Sequence, residues 1–292
     1  MPDNNGVINT GSGAVNIVGS AFGSRPLVTS GGPAGHQRRN PDPADVGVLT
    51  VLGVELRAVA GALEGSPDYR RQQAPTGHLV HRATVSGVRV AALQALQLGQ
   101  RSIMVAFEQL RQQWAPAVVV LVGVARAVDP GLDAGDVVVS DEVVYYDTRR
   151  QTPGGVLHLG QHLQAPPVIR HKLNAYFADA GEPLLLTDRV GAEYRVRRGL
   201  VGSGEAVIAD PDAAVLTYLR GFNPNLLAVE TEAGGVAQAV YEGIDPTRSV
   251  AGWLTVRGIA DRADAREYRY RNTLAARHAA DVLLRLVPYL AG

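Results

Sequence analysis

The stretch AVVVLVGV at residues 117–124 is an unbroken run of apolar side chains in which valine predominates. A strand with one solvated face alternates apolar and polar residues, whereas a strand of a parallel sheet is covered on both faces and reads as a continuous apolar run. Branched valines also fit a pleated strand better than a helix. The stretch therefore predicts a central strand, fully buried, from which the rest of the fold can be worked outward.

Compact apolar runs alternate with helix-like segments on both sides of this strand. The runs predict strands over residues 46–52, 78–85, 88–93, 137–144, 183–187, 192–201, 226–229 and 250–256. The remaining segments predict helices over residues 54–63, 100–113, 166–180, 210–220, 231–242 and 270–289. This alternation predicts an α/β protein, a three-layer α/β/α sandwich around a central mixed, largely parallel sheet. Ligands of such sheets bind beyond the carboxyl ends of the strands.

Residues 1–45 differ from the rest of the chain, because Asn, Gly, Ser and Pro dominate them. Such a composition buries little surface and favours a flexible leader or linker. The β-prone stretches at residues 7–8 and 15–18 leave a second reading open, in which the leader docks on another protein. Residues 46–292 are expected to form the catalytic domain.

The composition excludes several classes of function. The 28 basic and 28 acidic side chains give a net charge of +0, whereas a nucleic-acid groove needs a basic excess. The absence of cysteine excludes disulfides, thiol nucleophiles and cysteine-bound metals. The longest apolar stretch, residues 116–125, is far shorter than the roughly 20 residues that span a bilayer. Since the common phosphate-loop, dinucleotide and zinc-protease motifs are also absent, we expect a cytoplasmic small-molecule protein without metal or cofactor.

Acidic residues recur where predicted strands end. Glu55 follows the first strand, Glu230 and Glu232 follow residues 226–229, and Asp261 follows residues 250–256. Carboxylates at the ligand edge of a sheet can hold sugar hydroxyls, activate water, or donate a proton where burial raises their pKa. An ordinary structural reading stays open for each, because acidic residues also stabilise the start of a helix.

Residues 119–147, VVLVGVARAVDPGLDAGDVVVSDEVVYYD, resemble the central segment of the purine nucleoside phosphorylase and uridine phosphorylase superfamily. Four further segments resemble other elements of that superfamily in the expected order, namely residues 48–59, 201–210, 226–242 and 255–264. The closer likeness is to 5′-methylthioadenosine/S-adenosylhomocysteine nucleosidases. The resemblance extends from about Val46 to Leu290 and implies the nucleoside phosphorylase-like fold.

The resemblance implies a purine nucleoside or nucleotide as the substrate and cleavage of its N-ribosidic bond. Asp261 would protonate N7 of the base, and Glu55 would activate the attacking water. Because these two acids have opposite roles, Asp261 is expected to be the more buried. Glu232 would hold the ribose hydroxyls, and Arg257 would steady the carboxylates. The resemblance further implies a homo-oligomer, a dimer or larger, and a substrate pocket formed with Glu230, Thr231, Ile208, Val207, Arg126 and Val124.

Several pocket positions depart from the superfamily pattern, among them the following three. Thr231 replaces a methionine, Val207 replaces an aromatic residue, and Arg126 replaces a glycine. Arg126 has three readings: it lies on the surface, it enters the pocket and selects a phosphorylated substrate, or it blocks the pocket.

The nucleophile separates the candidate reactions. Where the phosphorylases hold phosphate with an arginine and a serine, this chain has Leu121 and Val124, and apolar side chains cannot compensate a buried dianion. Water is therefore the expected nucleophile. Two alternatives stay open: a phosphate-dependent nucleoside phosphorylase that uses Arg57, Arg101 or Arg126, and a catalytically decayed nucleotide-sensing or interaction module in a bacterial signalling or defence protein.

Overall fold

The computed structural model describes residues 43–291, except Pro75, Ala209, Pro211, residues 244–249 and residues 262–267, and it leaves out the side chains of residues 261 and 268–270. Almost all of the predicted leader therefore lies outside the described residues. The domain boundary at residue 45, the docking of the leader and the homo-oligomer stay predictions.

The described residues form fifteen strands and six helices. The strands are β1 (Val46–Thr50), β2 (Arg70–Gln73), β3 (Leu79–Val85), β4 (Val88–Gln94), β5 (Val118–Ala127), β6 (Val137–Ser140), β7 (Glu142–Tyr145), β8 (Arg149–Thr152), β9 (Gly155–His158), β10 (Gln161–Gln164), β11 (Leu184–Thr187), β12 (Glu193–Arg198), β13 (Leu200–Ser203), β14 (Leu226–Glu230) and β15 (Gly252–Asp261). The helices are α1 (Gly53–Leu63), α2 (Gln100–Trp114), α3 (Pro167–Ala180), α4 (Ala214–Phe222), α5 (Ala233–Glu242) and α6 (Tyr268–Leu290).

The valine-rich run is the central strand that the sequence predicts. The side chains of β5 from Val118 to Val122 are at most 1% exposed. The neighbours β1 and β15 both run parallel to β5, and β4 runs parallel to β1 on its far side. Antiparallel pairs join the parallel centre to the flanking strands, so the sheet is mixed. Among the described helices, α1 and α3 pack against α6, whereas α2 packs against α5, which gives the predicted three layers.

Two predicted strands are each divided in two. The segment 137–144 forms β6 and β7, which are separated by Asp141, and the carboxylate of Asp141 accepts hydrogen bonds from Arg170 and Arg198. The segment 192–201 forms β12 and β13, separated by Gly199. Each half pairs with different neighbours, so β6 joins β15 while β7 joins β13.

Several strands carry no apolar pattern and were not predicted. They are β2, with the sequence RRQQ, together with β8, β9 and β10. Conversely, β5 and β15 extend beyond their predicted ends, to Ala127 and Asp261. These extensions matter because they bring Arg126 and Arg257 into the ladder of paired strands. None of the described helices is both long and apolar enough to cross a membrane.

Candidate active site

A cavity of about 500 Å³ lies at the carboxyl ends of the central strands. Its described lining consists of Leu52, Glu55, Leu98, Val124, Ala125, Arg126, Tyr146, Ala206, Val207, Ile208, Val229, Glu230, Thr231, Glu232, Ala260 and Asn272. Eight of the ten residues that the sequence singles out therefore meet at one cavity. The other two are Arg257, which contacts the carboxylates from within β15, and Asp261.

Glu55 is held by three backbone N–H groups. It lies in the first turn of α1, and its side chain turns back to the residues before the helix. Oε2 accepts hydrogen bonds from the N–H groups of Val51 and Leu52 at 2.8 and 2.7 Å, and Oε1 accepts one from Val124 of β5 at 2.9 Å. Burial raises the pKa of the Glu55 carboxyl, although the Arg257 guanidinium and these three donors act in the opposite direction. A fixed carboxylate with a raised pKa suits a general base.

Gly123 of β5 makes room for Glu55. A Cβ atom at this position would lie 2.6 Å from Oε1 of Glu55 and would also collide with the guanidinium of Arg257. Real Cβ contacts are not this short, so a larger residue here would displace one of the two side chains. The glycine in the valine-rich run is therefore required by a close approach of buried charged groups.

Glu230 and Glu232 share the guanidinium of Arg257. Nη2 of Arg257 donates to Oε2 of Glu230 and lies 3.3 Å from Oε2 of Glu232, and the arginine is 0% exposed. Glu230 also accepts the N–H groups of Glu232 and Ala233, each at 2.9 Å, at the start of α5. The two carboxylates at i and i+2 thus converge on one cation.

Burial dominates the electrostatics of this cluster. It raises the pKa of Glu230; the Arg257 guanidinium lowers that pKa, and Glu232 raises it further by repulsion. Burial on its own disfavours a charged guanidinium, yet Glu230, Glu232 and Glu55 hold the pKa of Arg257 above its ordinary value. Three described carboxylates surround one cation, so the cluster carries excess negative charge when all of them are ionised.

Thr231 and Gly99 orient Glu232. The Thr231 hydroxyl and the Gly99 N–H, the latter at 3.1 Å, both donate to Oε1 of Glu232. In the superfamily pattern a methionine stands at the position of Thr231. Here its hydroxyl instead bonds a carboxylate.

Gln100 is a positioning residue that the sequence analysis missed. Its side-chain N–H₂ donates to the Ser203 hydroxyl at 2.8 Å and to the Thr231 carbonyl at 2.7 Å, and its oxygen accepts the Gly235 N–H. Ser203 also accepts the Gly234 N–H at 3.0 Å. This network ties α2 and β13 to the turn that carries Glu230 and Glu232. The Gly-Gly pair at 234–235 is the signal that could have indicated it, because two adjacent glycines at a helix start allow a close neighbour.

Arg126 enters the cavity. Its side chain is half-buried, and Nη1 donates a hydrogen bond to the carbonyl of Ile208. Of the three readings of Arg126, the surface position is therefore wrong, because the β5 strand runs far enough to carry the side chain under the 206–208 segment. Val207 lines the same cavity but is 75% exposed.

Asp261 is the last residue of β15, and its backbone pairs in register with Arg126 of β5. Its side chain lies outside the described part of the chain. The prediction that Asp261 is more buried than Glu55 therefore stays untested.

Two more lining residues escaped the sequence analysis. The Tyr146 hydroxyl and Oδ1 of Asn272 are both buried and have no hydrogen-bond partner among the described residues. Burial raises the pKa of Tyr146, so its hydroxyl stays protonated and is able to donate. Neither residue had a recognisable signal, since Tyr146 follows an apolar strand and Asn272 lies in a helix with polar residues on several faces.

Comparison with known proteins identifies the family of this chain. A family model described as the phosphorylase superfamily matches residues 45–288. The 5′-methylthioadenosine/S-adenosylhomocysteine nucleosidase of Marinomonas sp. (strain MWYL1) is 31% identical over 166 residues, which are 57% of this chain and 65% of that protein. The chain thus spans just under two thirds of the length of this curated relative.

Solved structures share the fold at low sequence identity. The nucleosidase of the same description from Colwellia psychrerythraea 34H, solved in complex with adenine, has a TM-score of 0.65 at 19% identity, covering 86% of this chain and 97% of that one. Futalosine hydrolase of Helicobacter pylori strain 26695 has a TM-score of 0.62 at 14% identity, covering 83% and 97%. The predicted α/β/α fold is confirmed.

Proposed function

The chain belongs to the phosphorylase superfamily, and from this premise we propose that it hydrolyses the N-ribosidic bond of a purine nucleoside or nucleotide and releases the free base. The observation that carries the proposal is the buried cluster of Glu55, Glu230 and Glu232 around Arg257 at the wall of the cavity. The curated relative described above is a nucleosidase, and the solved Colwellia relative holds adenine, which supports the same chemistry.

Glu232, with Glu230 beside it, binds the ribose in this proposal. Carboxylate oxygens accept hydrogen bonds from sugar hydroxyls, and among the described residues only Arg257, at 3.3 Å, contacts Oε2 of Glu232. Cleavage of an N-ribosidic bond passes through a sugar that carries positive charge. Excess negative charge, fixed before the reaction, stabilises that transition state more than the neutral substrate.

Glu55 activates the attacking water. An ionised carboxylate offers about four acceptor sites, and backbone donors occupy three of those on Glu55, two at Oε2 and one at Oε1. In this proposal the remaining site at Oε1 accepts a hydrogen bond from the attacking water. Its burial-raised pKa makes Glu55 a stronger proton acceptor than an exposed glutamate.

Asp261 protonates N7 of the departing base, as the family resemblance implies. A protonated purine leaves as a neutral group, so the two acids divide the work of glycoside cleavage: one proton goes to the leaving group and one is taken from water. The bond from C1′ to the base nitrogen breaks, and the bond from C1′ to the water oxygen forms.

Hydrolysis is favoured over phosphorolysis by the charges of the cavity. A phosphate dianion needs cations, but Arg57 and Arg101 are exposed and do not line the described cavity. Arg126 lines it, yet that guanidinium already bonds the Ile208 carbonyl. Three buried carboxylates would repel the dianion, whereas they attract the developing positive charge of the sugar.

The test is to incubate the purified chain with adenosine, inosine, methylthioadenosine, AMP and ATP, with and without phosphate, and to measure free base by chromatography. Base release without phosphate is expected, and Glu55→Gln should lower the rate by about 10²- to 10⁴-fold, the usual contribution of a general base. Glu193→Gln, an exposed change on β12, is the matched control and should retain the wild-type rate. Strict dependence on phosphate, or no base from any substrate, refutes the proposal.

A further inference from the structure

The cavity beyond the carboxylates is largely apolar. Leu98, Val207, Ile208, Val229 and Ala260 contribute to this part of the lining. If the function proposed above is correct, the carboxylates take up the polar sugar, and the flat purine lies on this apolar surface. The few polar groups here then decide which base binds.

Arg126 is the one cationic side chain in the described lining, and it changes the hydrogen-bonding groups of the cavity wall that it forms with Ile208. A guanidinium only donates hydrogen bonds, through five N–H groups in a fixed fork. The carbonyl of Ile208 would be an acceptor at this wall, but Nη1 of Arg126 already bonds it. Arg126 thus occupies one of the two lone pairs of that carbonyl, and its guanidinium itself offers a bound base donors only. Among the described residues without a partner, the buried hydroxyl of Tyr146 is one more donor of the lining, and Oδ1 of Asn272 is an acceptor.

Purine bases differ in whether the group at C6 accepts or donates a hydrogen bond. Hypoxanthine and guanine carry a carbonyl oxygen there, which accepts hydrogen bonds, whereas adenine carries an amino group, which donates them. A donor facing a donor in a buried site loses the hydrogen bonds of both groups. The electron pair of the breaking C1′–N bond passes to the base, and part of this density reaches O6 of a 6-oxopurine, where a guanidinium stabilises it.

We propose that Arg126 is a specificity-determining residue that selects 6-oxopurines over 6-aminopurines. The inference rests on the proposed function for the position of the base. The sign of the preference follows from the Arg126 guanidinium, which lines the cavity and only donates hydrogen bonds. The reading in which Arg126 holds a substrate phosphate is less favourable, because one arginine already engaged with a carbonyl would have to bind a dianion near three carboxylates.

Binding of the free bases tests the inference without requiring turnover. Hypoxanthine, unsubstituted purine and adenine are titrated into the intact chain by calorimetry. Unsubstituted purine has neither the oxygen nor the amino group at C6, so the expected order is hypoxanthine tightest, purine intermediate and adenine weakest. One gained or mismatched buried hydrogen bond corresponds to about a 5- to 150-fold difference between hypoxanthine and adenine.

Arg126→Met keeps the length of the side chain and removes the donors. In this variant the three affinities should fall within about threefold of one another. Arg220→Met, an exposed change on α4, is the matched control and should keep the wild-type order. If Arg126→Met does not fold, the wild-type series still refutes the inference when hypoxanthine does not bind more tightly than adenine.

Two results overturn the inference. Adenine binding as tightly as hypoxanthine in the wild type refutes the selection at C6. Equal affinities for the two bases, combined with tighter binding of IMP and AMP than of inosine and adenosine, assigns Arg126 to the phosphate instead. Failure of the proposed hydrolysis is recognised separately, because the base-release assay then yields no product while the base titrations still report their order.

Discussion

Replacing Arg257 by methionine removes the only cation that contacts Glu230 and Glu232 within the described cluster. The variant keeps a long apolar stem in β15 but leaves two buried carboxylates without a counter-charge. Removing one partner of a buried ion pair costs about 3–5 kcal/mol. In a domain of this size each kcal/mol lowers the melting temperature by about 2–4 °C, so we expect a decrease of about 6–20 °C.

The loss should depend on pH, and the sign follows from the pKa shifts. Burial already raises the pKa of Glu55 and Glu230 above their unfolded values, and Arg257 opposes this rise. Without Arg257 both pKa values move further up. A carboxyl whose folded pKa is raised stabilises the fold at low pH and loses that contribution as the pH rises through the folded pKa. The variant should therefore be closer to the wild type at about pH 5 than at about pH 8.

Thermal unfolding followed by circular dichroism measures this effect. Wild type, Arg257→Met and the exposed control Arg220→Met are compared at both pH values, with the far-ultraviolet spectrum as the check on folding. Adding Glu230→Gln to Arg257→Met should recover part of the loss, because removing a whole buried pair costs less than breaking it. A decrease below about 2 °C, or one equal at both pH values, would refute the reasoning.

Two further predictions concern Glu55. Gly123→Ala places a Cβ atom 2.6 Å from Oε1 of Glu55, so the free energy of unfolding should fall by about 1–3 kcal/mol. The displaced carboxylate should lower kcat for base release more than it changes KM. A wild-type kcat would contradict this prediction. The burial-raised pKa of Glu55 predicts that kcat/KM rises with pH through a midpoint above the ordinary glutamate value of about 4.3, and initial rates over a pH series measure it. If Glu55→Gln keeps the same rising limb, another group is titrating.

The sequence predicted the elements whose pattern is local. The run at 117–124 could be recognised as a central strand because both faces of β5 are covered and every position prefers an apolar residue. Glu55, Glu230 and Glu232 were recognisable because they stand at strand ends, where a sheet of this type binds ligands. The polar strand β2 lies at the edge of the sheet, where little burial constrains its side chains. No periodicity could reveal it.

What the sequence could not provide is the pairing of distant residues. Gln100 and Gly235 are separated by 135 positions, yet one hydrogen bond between them fixes the turn that carries the carboxylates. The end of β15 was also missed, because the residues after Val256 are not continuously apolar. The positions of Arg257 beneath the cavity and Arg126 in its wall depend on how far β15 and β5 continue, and the pairing of these two strands with each other determines that length.

The register of β5 and β15 gives the two arginines different tasks. Arg257 of β15 pairs with Gly123 of β5, whereas Arg126 of β5 lies three residues closer to the carboxyl end. At about 3.3 Å per residue this is a rise of roughly 10 Å along the strand. Arg257 is enclosed by carboxylates and does not line the described cavity, so its loss should weaken the fold and slow the reaction of every substrate alike. Arg126 lines the cavity, so its loss should change the ratio between bases. If substitutions at Arg257 also changed the ratio between bases, or substitutions at Arg126 also slowed every substrate alike, the two arginines would not have separate tasks.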